Sequence, residues 1–155
     1  MSGTSEDSEF AQAVNGAVEA AIPVVHNMGV RATSARRGYA SSMVPVEGNG
    51  NHFGVMYAGV LFTVAEMLGG AIAVASFDGT RYYPLVKDLR ITFKRPATSD
   101  VRAEATLDED TIIRVTREAD EAGKSDFTLE STVTDADGVV VAVTTGLYQL
   151  RALGR

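Results

Sequence analysis

The chain has 155 residues, enough for one domain with a proper core, and at 45% hydrophobic and 22% charged its composition is ordinary for a globular protein. Fourteen basic residues against twenty acidic ones give a net charge of −6, which argues against nucleic acid as a main partner. The absence of cysteine excludes disulfides, thiolate metal sites and cysteine nucleophiles, and two histidines far apart leave little for a zinc site.

Met1 to Glu9 is small, polar and acidic, and is expected to be disordered. It lacks the basic flank and apolar core of a secretory leader, so a cytoplasmic protein is expected. From Phe10 to Met28 apolar residues fall at 10, 13, 14, 17, 18, 21, 22 and 25, the spacing of a helix. Pro23 should end or bend it, because proline removes a helix hydrogen bond and clashes with the preceding turn. Gly29 to Glu47 has the pattern of two strands. Val30, Ala32 and Ser34 alternate with Arg31 and Thr33, Arg37-Gly38 is a turn signal, and Tyr39, Ser41 and Met43 continue beyond it.

Val46 to Gly54 reads as a loop. Val55 to Phe77 is then a 23-residue apolar run with one charged residue, Glu66. A carboxylate there is costly to bury unless something pairs with it or uses it. The run is long enough to span a membrane. Its central acid, the Gly69-Gly70 pair and the lack of flanking Lys or Arg oppose that reading. A helix apolar all round is otherwise one buried in a protein core. The expectation is a buried helix from about Tyr57 to Ser76, stopped by Asp78-Gly79.

After this helix the period changes. Leu89, Ile91 and Phe93 alternate with polar neighbours until Pro96, and Val101 to Leu107 form the next strand. Ile113 and Val115 centre a third. A hairpin turn at Glu121 to Lys124 leads to a fourth, marked by Phe127, Leu129 and Val133. The turn Asp135-Ala136-Asp137-Gly138 precedes a long final strand, Val139 to Leu150. Consecutive strands after the helix point to a single α+β domain with a largely antiparallel sheet. Only the Tyr57–Ser76 helix is apolar enough to cover one face, so a curved sheet should wrap it.

At these residues the chain resembles the hotdog-fold thioesterases, in particular their phenylacetic-acid-pathway branch. That family carries a loop Asn, a His-Gly-Gly at the helix start and an acid further along the helix. Here Asn51 lies six residues before Tyr57, Tyr57-Ala58-Gly59 stands where the family has His-Gly-Gly, and Glu66 stands at the acid. LRITFKRPA, Leu89 to Ala97, resembles the family's strand after the helix. The resemblance covers about Gly29 to Leu150. It implies an acyl-CoA thioesterase, with coenzyme A as part of the substrate and no separate cofactor or metal.

The resemblance implies that Glu66 supplies the attack, as general base on water or as direct nucleophile. The carbonyl would be polarised by the Ala58 N–H, with Gly59 beside it, at a helix N-terminus where free donors and the helix dipole meet. Ala58 and Glu66 are eight residues apart, about 12 Å along a helix, so one carbonyl cannot touch both. If both act, they belong to different subunits, and a homodimer, or a dimer of dimers, with composite sites is expected. Asn51 is a candidate to hold the loop or orient water, and Tyr57 to replace the packing of the family's His. His52, Tyr82 and Tyr83 are candidates for the substrate pocket, and Lys94 and Arg95 for the coenzyme A phosphates. The competing reading is a non-catalytic acyl-CoA or lipid-binding protein of the same fold. Hydratase chemistry and a pure interaction domain are weaker alternatives.

Overall fold

The computed structural model describes residues 5–155. Helix α1 runs Ser5–Ala21, so residues 5–9, expected to be disordered, are helical; residues 1–4 lie outside the described part. The early start has a physical cause. Asp7, in the first turn where the helix dipole favours an acid, is buried and accepts hydrogen bonds from Ser34 and Arg36, both at 3.1 Å. Further along, the Asn15 amide bonds both backbone groups of Ala32, donating at 3.0 Å and accepting at 2.7 Å. It thereby fills one position on an otherwise unpaired strand edge. Pro23 ends α1 and opens a short helix α2, Pro23–Met28, where its missing N–H costs nothing. Gly29, at φ 86, closes α2.

Strands β1 (Arg31–Arg36) and β2 (Tyr39–Val44) form the expected hairpin, with Arg36 opposite Tyr39 and Gly38 at φ 77 in the turn. The apolar run becomes α3 (Ala58–Glu66) and α4 (Leu68–Ser76), separated by Met67 alone. Met67 keeps helical dihedrals, and its N–H and C=O bond Thr63 and Ala71, so the axis continues through the break. By length and hydropathy Ala58–Ser76 could cross a membrane. In this fold Val64, Leu68, Ala71 and Ile72 are fully buried in the core instead.

The remaining strands are β3 (Tyr82–Phe93), β4 (Val101–Thr106), β5 (Lys124–Thr134) and β6 (Val140–Ala152). The sheet is antiparallel throughout, in the order β1-β2-β4-β5-β6-β3. Its central strands alternate as a half-buried sheet must. Phe127, Leu129, Ser131 and Val133 of β5 are buried between neighbours that are exposed or half-buried. Facing the helix, β2 and β4 carry small residues, Ala40, Ser42, Ala103 and Ala105, all buried. These let α3 approach closely enough for Ser42 to donate to the Val64 carbonyl at 2.7 Å.

One expected strand is a helix. Ile113 and Val115 lie in α5, Glu109–Ala122. The i, i+2 spacing of those two residues imitated a strand. The buried set is Ile112, Val115 and Ala119, at helical spacing, while Ile113 is 53% exposed. The termini carry the missed signal. Asp108 caps the first turn by accepting from the Thr111 N–H at 2.7 Å, and Gly123, at φ 83, closes the last. What was expected to be a hairpin turn at Glu121–Lys124 is therefore the helix C-cap. The cap bond holds the Asp108 carboxyl below its ordinary range. Its stabilisation is present above the unfolded pKa and is lost as pH falls through the folded one. Asp108→Ala should therefore lower Tm at neutral pH, with a gap to wild type that closes in acid. Thermal melts across pH check this, and a gap constant with pH would contradict it.

Candidate functional site

Glu66 is the last residue of α3, half-buried, in the interior face of the central helix. Among the described residues its carboxylate has no hydrogen-bond or ion-pair partner, and burial alone pushes its pKa up. Tyr148 of β6 fixes the backbone here. Its hydroxyl donates to the Glu66 carbonyl at 3.2 Å, and burial and the Glu66 charge raise its own pKa well above the usual phenol range. Two glycines make room for its ring. A Cβ on Gly69 would lie 2.0 Å from the ring, and one on Gly146 would lie 2.5 Å from it. Tyr148 also stacks on Phe127, with centroids 5.7 Å apart, so the support is rigid.

Glu66 opens into a cleft of about 290 Å³ between α1 and α4. Val14, Val18 and Ile22 lie on one side, Met67, Gly70 and Val74 on the other, and Pro84 of β3 completes the lining. Glu66 is its single ionisable group. Sequence reasoning assigned neither α1 nor Tyr148 to the site. The signal for α1 was its helical apolar stripe; Tyr148 carried no signal, because only the fold brings it to Glu66.

The other end of α3 faces a different cleft. Tyr57 is the N-cap, with extended dihedrals (φ −62, ψ 137) and no side-chain cap bond. The N–H groups of Ala58 and Gly59 donate to no described acceptor, as expected for the first turn of a helix. Ala58, Asn51, Lys94 and Arg95 line one cleft of about 320 Å³ with Phe93 and Pro96. The fold thus assembles these four predicted residues in one place, and puts Glu66 elsewhere.

Asn51 is mainly a loop former. Its Oδ1 accepts from the Phe53 and Val55 N–H groups at 2.9 and 3.3 Å, while its backbone N–H donates to the Val55 carbonyl at 2.7 Å. Asn49, outside the expected site residues, sets the entry to α3. Its carbonyl accepts from the Tyr57 N–H, and its amide donates to the Met28 and Pro45 carbonyls. Tyr57 is exposed, and its ring lies over Gly59, where a Cβ would come within 2.6 Å of it. His52 sits on the loop with its ring 3.9 Å from that of Phe53, itself 78% exposed.

Tyr82 and Tyr83 are not with Glu66. Tyr82 is buried, donates to the Asp120 carboxylate and lies beside the Arg81 guanidinium. It lines a cleft of about 570 Å³, larger than the two above, between the C-terminal end of α4 and α5. Two arginines there are already ion-paired, Arg37 with Glu109 and Arg81 with Asp120. That cleft reaches neither the acid nor the free helix N–H groups. Tyr83 is exposed next to it in β3. Among the described residues no three His, Cys, Asp or Glu side chains cluster as metal ligands.

A long central helix wrapped by a six-stranded antiparallel sheet, carrying an acid and a bare N-terminus, is the hotdog fold. The chain belongs to the DUF4442 family, a domain of unknown function, matched over residues 11–148. It is 45% identical to a Pseudomonas aeruginosa protein of unknown function described as a probable thioesterase, covering 91% of this chain and 95% of that one, with a TM-score of 0.85. A Chlorobaculum tepidum protein of unknown function is 15% identical over 94% of this chain and 96% of its own, with a TM-score of 0.82. A Haemophilus influenzae thioesterase is 16% identical over 94% and 92%, with a TM-score of 0.74. These last two share the fold. No curated protein matches the chain.

Proposed function

We propose that this protein is an acyl-CoA thioesterase working as a homodimer with composite sites. The observation that carries the reading is the separation of two complementary halves on one helix. Among the described residues Glu66 has no partner, and it opens into one cleft. The unpaired Ala58 and Gly59 N–H groups lie about 12 Å away along the axis, beside another. Each half lacks what the other holds. The description of the 45% identical relative as a probable thioesterase supports the reaction class.

In the proposed reaction Glu66 removes a proton from water as it attacks the thioester carbonyl. The oxyanion of the tetrahedral intermediate accepts from Ala58 N–H of the other subunit, with Gly59 adjacent. Collapse breaks the C–S bond, and the departing thiolate takes the proton from Glu66. Direct attack by the Glu66 carboxylate, forming a mixed anhydride that water then opens, gives the same products. Lys94 and Arg95 line the N-terminal cleft with Ala58, and in this reading they meet the coenzyme A phosphates. Support for the dimer comes from β3. It is a 12-residue edge strand paired on one side only, and it exposes Leu85, Val86 and Phe93. An exposed apolar edge of that length invites pairing with a second chain.

A panel of acyl-CoAs assayed for thiol release with wild type and Glu66→Ala tests the reading. Release by wild type and its loss in the variant is the expected result. Tight binding of acyl-CoA with no release by wild type would select the non-catalytic reading instead. That alternative draws on Asn51, whose Oδ1 is taken up by its own loop, and on Tyr57-Ala58, which replaces the family's His-Gly.

A further inference from the structure

The α1–α4 cleft has a lining that restricts what can enter it. Apart from Glu66 every residue in it is aliphatic, methionine, glycine or proline. It presents no aromatic face, no hydroxyl and no amide side chain, and its walls are helices whose backbone groups are largely bonded internally. A pantetheine arm, with two amides, would lose its hydrogen bonds to water there without replacement. An aliphatic chain loses nothing. Ile22 and Val74, each 46% exposed, leave apolar surface open on both walls. We infer that this cleft holds the acyl chain, and that the chain is a straight, saturated, medium-length one. The inference rests on the thioesterase reading, which places the scissile carbonyl at Glu66.

The volume sets the length. About 290 Å³, at roughly 30 Å³ for each water-sized group, accommodates on the order of eight to ten carbons. Longer chains must extend beyond the cleft, and an aryl group meets no aromatic partner in its lining. Helix α1 is thus the specificity wall, pinned to β1 through Asn15 and Asp7.

Gly70 offers a direct test. A Cβ built there meets nothing within 4 Å, and the residue lines the cleft. Gly70→Leu therefore adds bulk at a cleft-lining position whose Cβ is unobstructed, and Gly70→Ala serves as the folding control. Steady-state hydrolysis is measured across straight-chain acyl-CoAs from butyryl to palmitoyl, with phenylacetyl-CoA alongside. For wild type, kcat/KM should rise about fourfold per added methylene to a maximum near about eight to ten carbons. Gly70→Leu should move that maximum shorter by about two to four carbons. A butyryl or phenylacetyl optimum, or one chain-length profile shared by wild type and Gly70→Leu, overturns the inference and leaves the thioesterase reading standing. The converse is also separable. Binding of S-decyl-coenzyme A, a thioether that cannot be hydrolysed, should weaken at least about tenfold in Gly70→Leu. That weakening with no hydrolysis of any acyl-CoA by wild type overturns the thioesterase reading and upholds the cleft. Equal binding by both proteins overturns the cleft.

Discussion

Glu66→Gln is expected to lower kcat by about 10²–10⁴-fold and, at neutral pH, to make the protein more stable. Both effects have one origin. Burial without a partner holds the Glu66 carboxyl above the ordinary glutamate range in the fold. The folded chain therefore binds that proton more tightly than the unfolded chain. The associated stability is complete below the unfolded pKa and is lost as pH rises through the folded one. At neutral pH the wild type carries a partly desolvated charge that Gln does not. Urea melts should show the variant's advantage at neutral pH shrinking as pH falls toward the ordinary carboxylate range. The acid limb of the wild-type kcat profile should lie above that range, because the base is lost on protonation. A variant less stable than wild type at neutral pH would mean that Glu66 has a stabilising partner after all. Such a gain in stability on removing a working group is the usual mark of a functional acid rather than a structural one.

Gly69→Ala and Gly70→Ala, one residue apart in α4, should have opposite effects. In a helix interior alanine is favoured over glycine by about 0.8–1.0 kcal/mol. At Gly70 nothing opposes this, so Gly70→Ala should stabilise by roughly that amount. At Gly69 the new methyl would lie 2.0 Å from the Tyr148 ring, which is 3% exposed and stacked on Phe127. The ring has no free space to turn into, since Gly146 is pressed against its far edge. Overpacking of this kind costs about 1–3 kcal/mol or more, enough to outweigh the propensity gain and lower Tm by several degrees. Because Tyr148 also holds the Glu66 carbonyl, Gly69→Ala should reduce kcat as well. Thermal melts of the two variants side by side check the sign, and stabilisation by both would show that Tyr148 can move.

Much of the architecture was legible because it follows from local rules. Arg37-Gly38 needed a left-handed glycine, and Gly38 has one. Asp135 was a turn residue, and it accepts from the Asp137 and Val139 N–H groups as an Asx turn does. α5 was missed because two apolar residues at i and i+2 outweighed a capping pattern that only the buried triad Ile112, Val115 and Ala119 makes plain. The start of α1 was missed because its first turn is polar, and it is held by Asp7 against β1, a partner 27 residues away.

The candidate site divides in the same way. By itself the sequence determined that one acid lies in an apolar helix, that the helix starts after a glycine-rich polar loop, and that the two ends are too far apart to serve one carbonyl. Those are properties of composition and of helical rise, which need no tertiary contact. Only the tertiary structure decided that Glu66 is left without a partner among the described residues, that Tyr148 threads between Gly69 and Gly146 to reach its carbonyl, and that α1 closes an aliphatic cleft over it. It also separated Tyr82 from that cleft and gathered Asn51, Ala58, Lys94 and Arg95 at the other. Such placements depend on strand order and on which distant side chains share a volume, and neither is encoded in the spacing of residues along the chain.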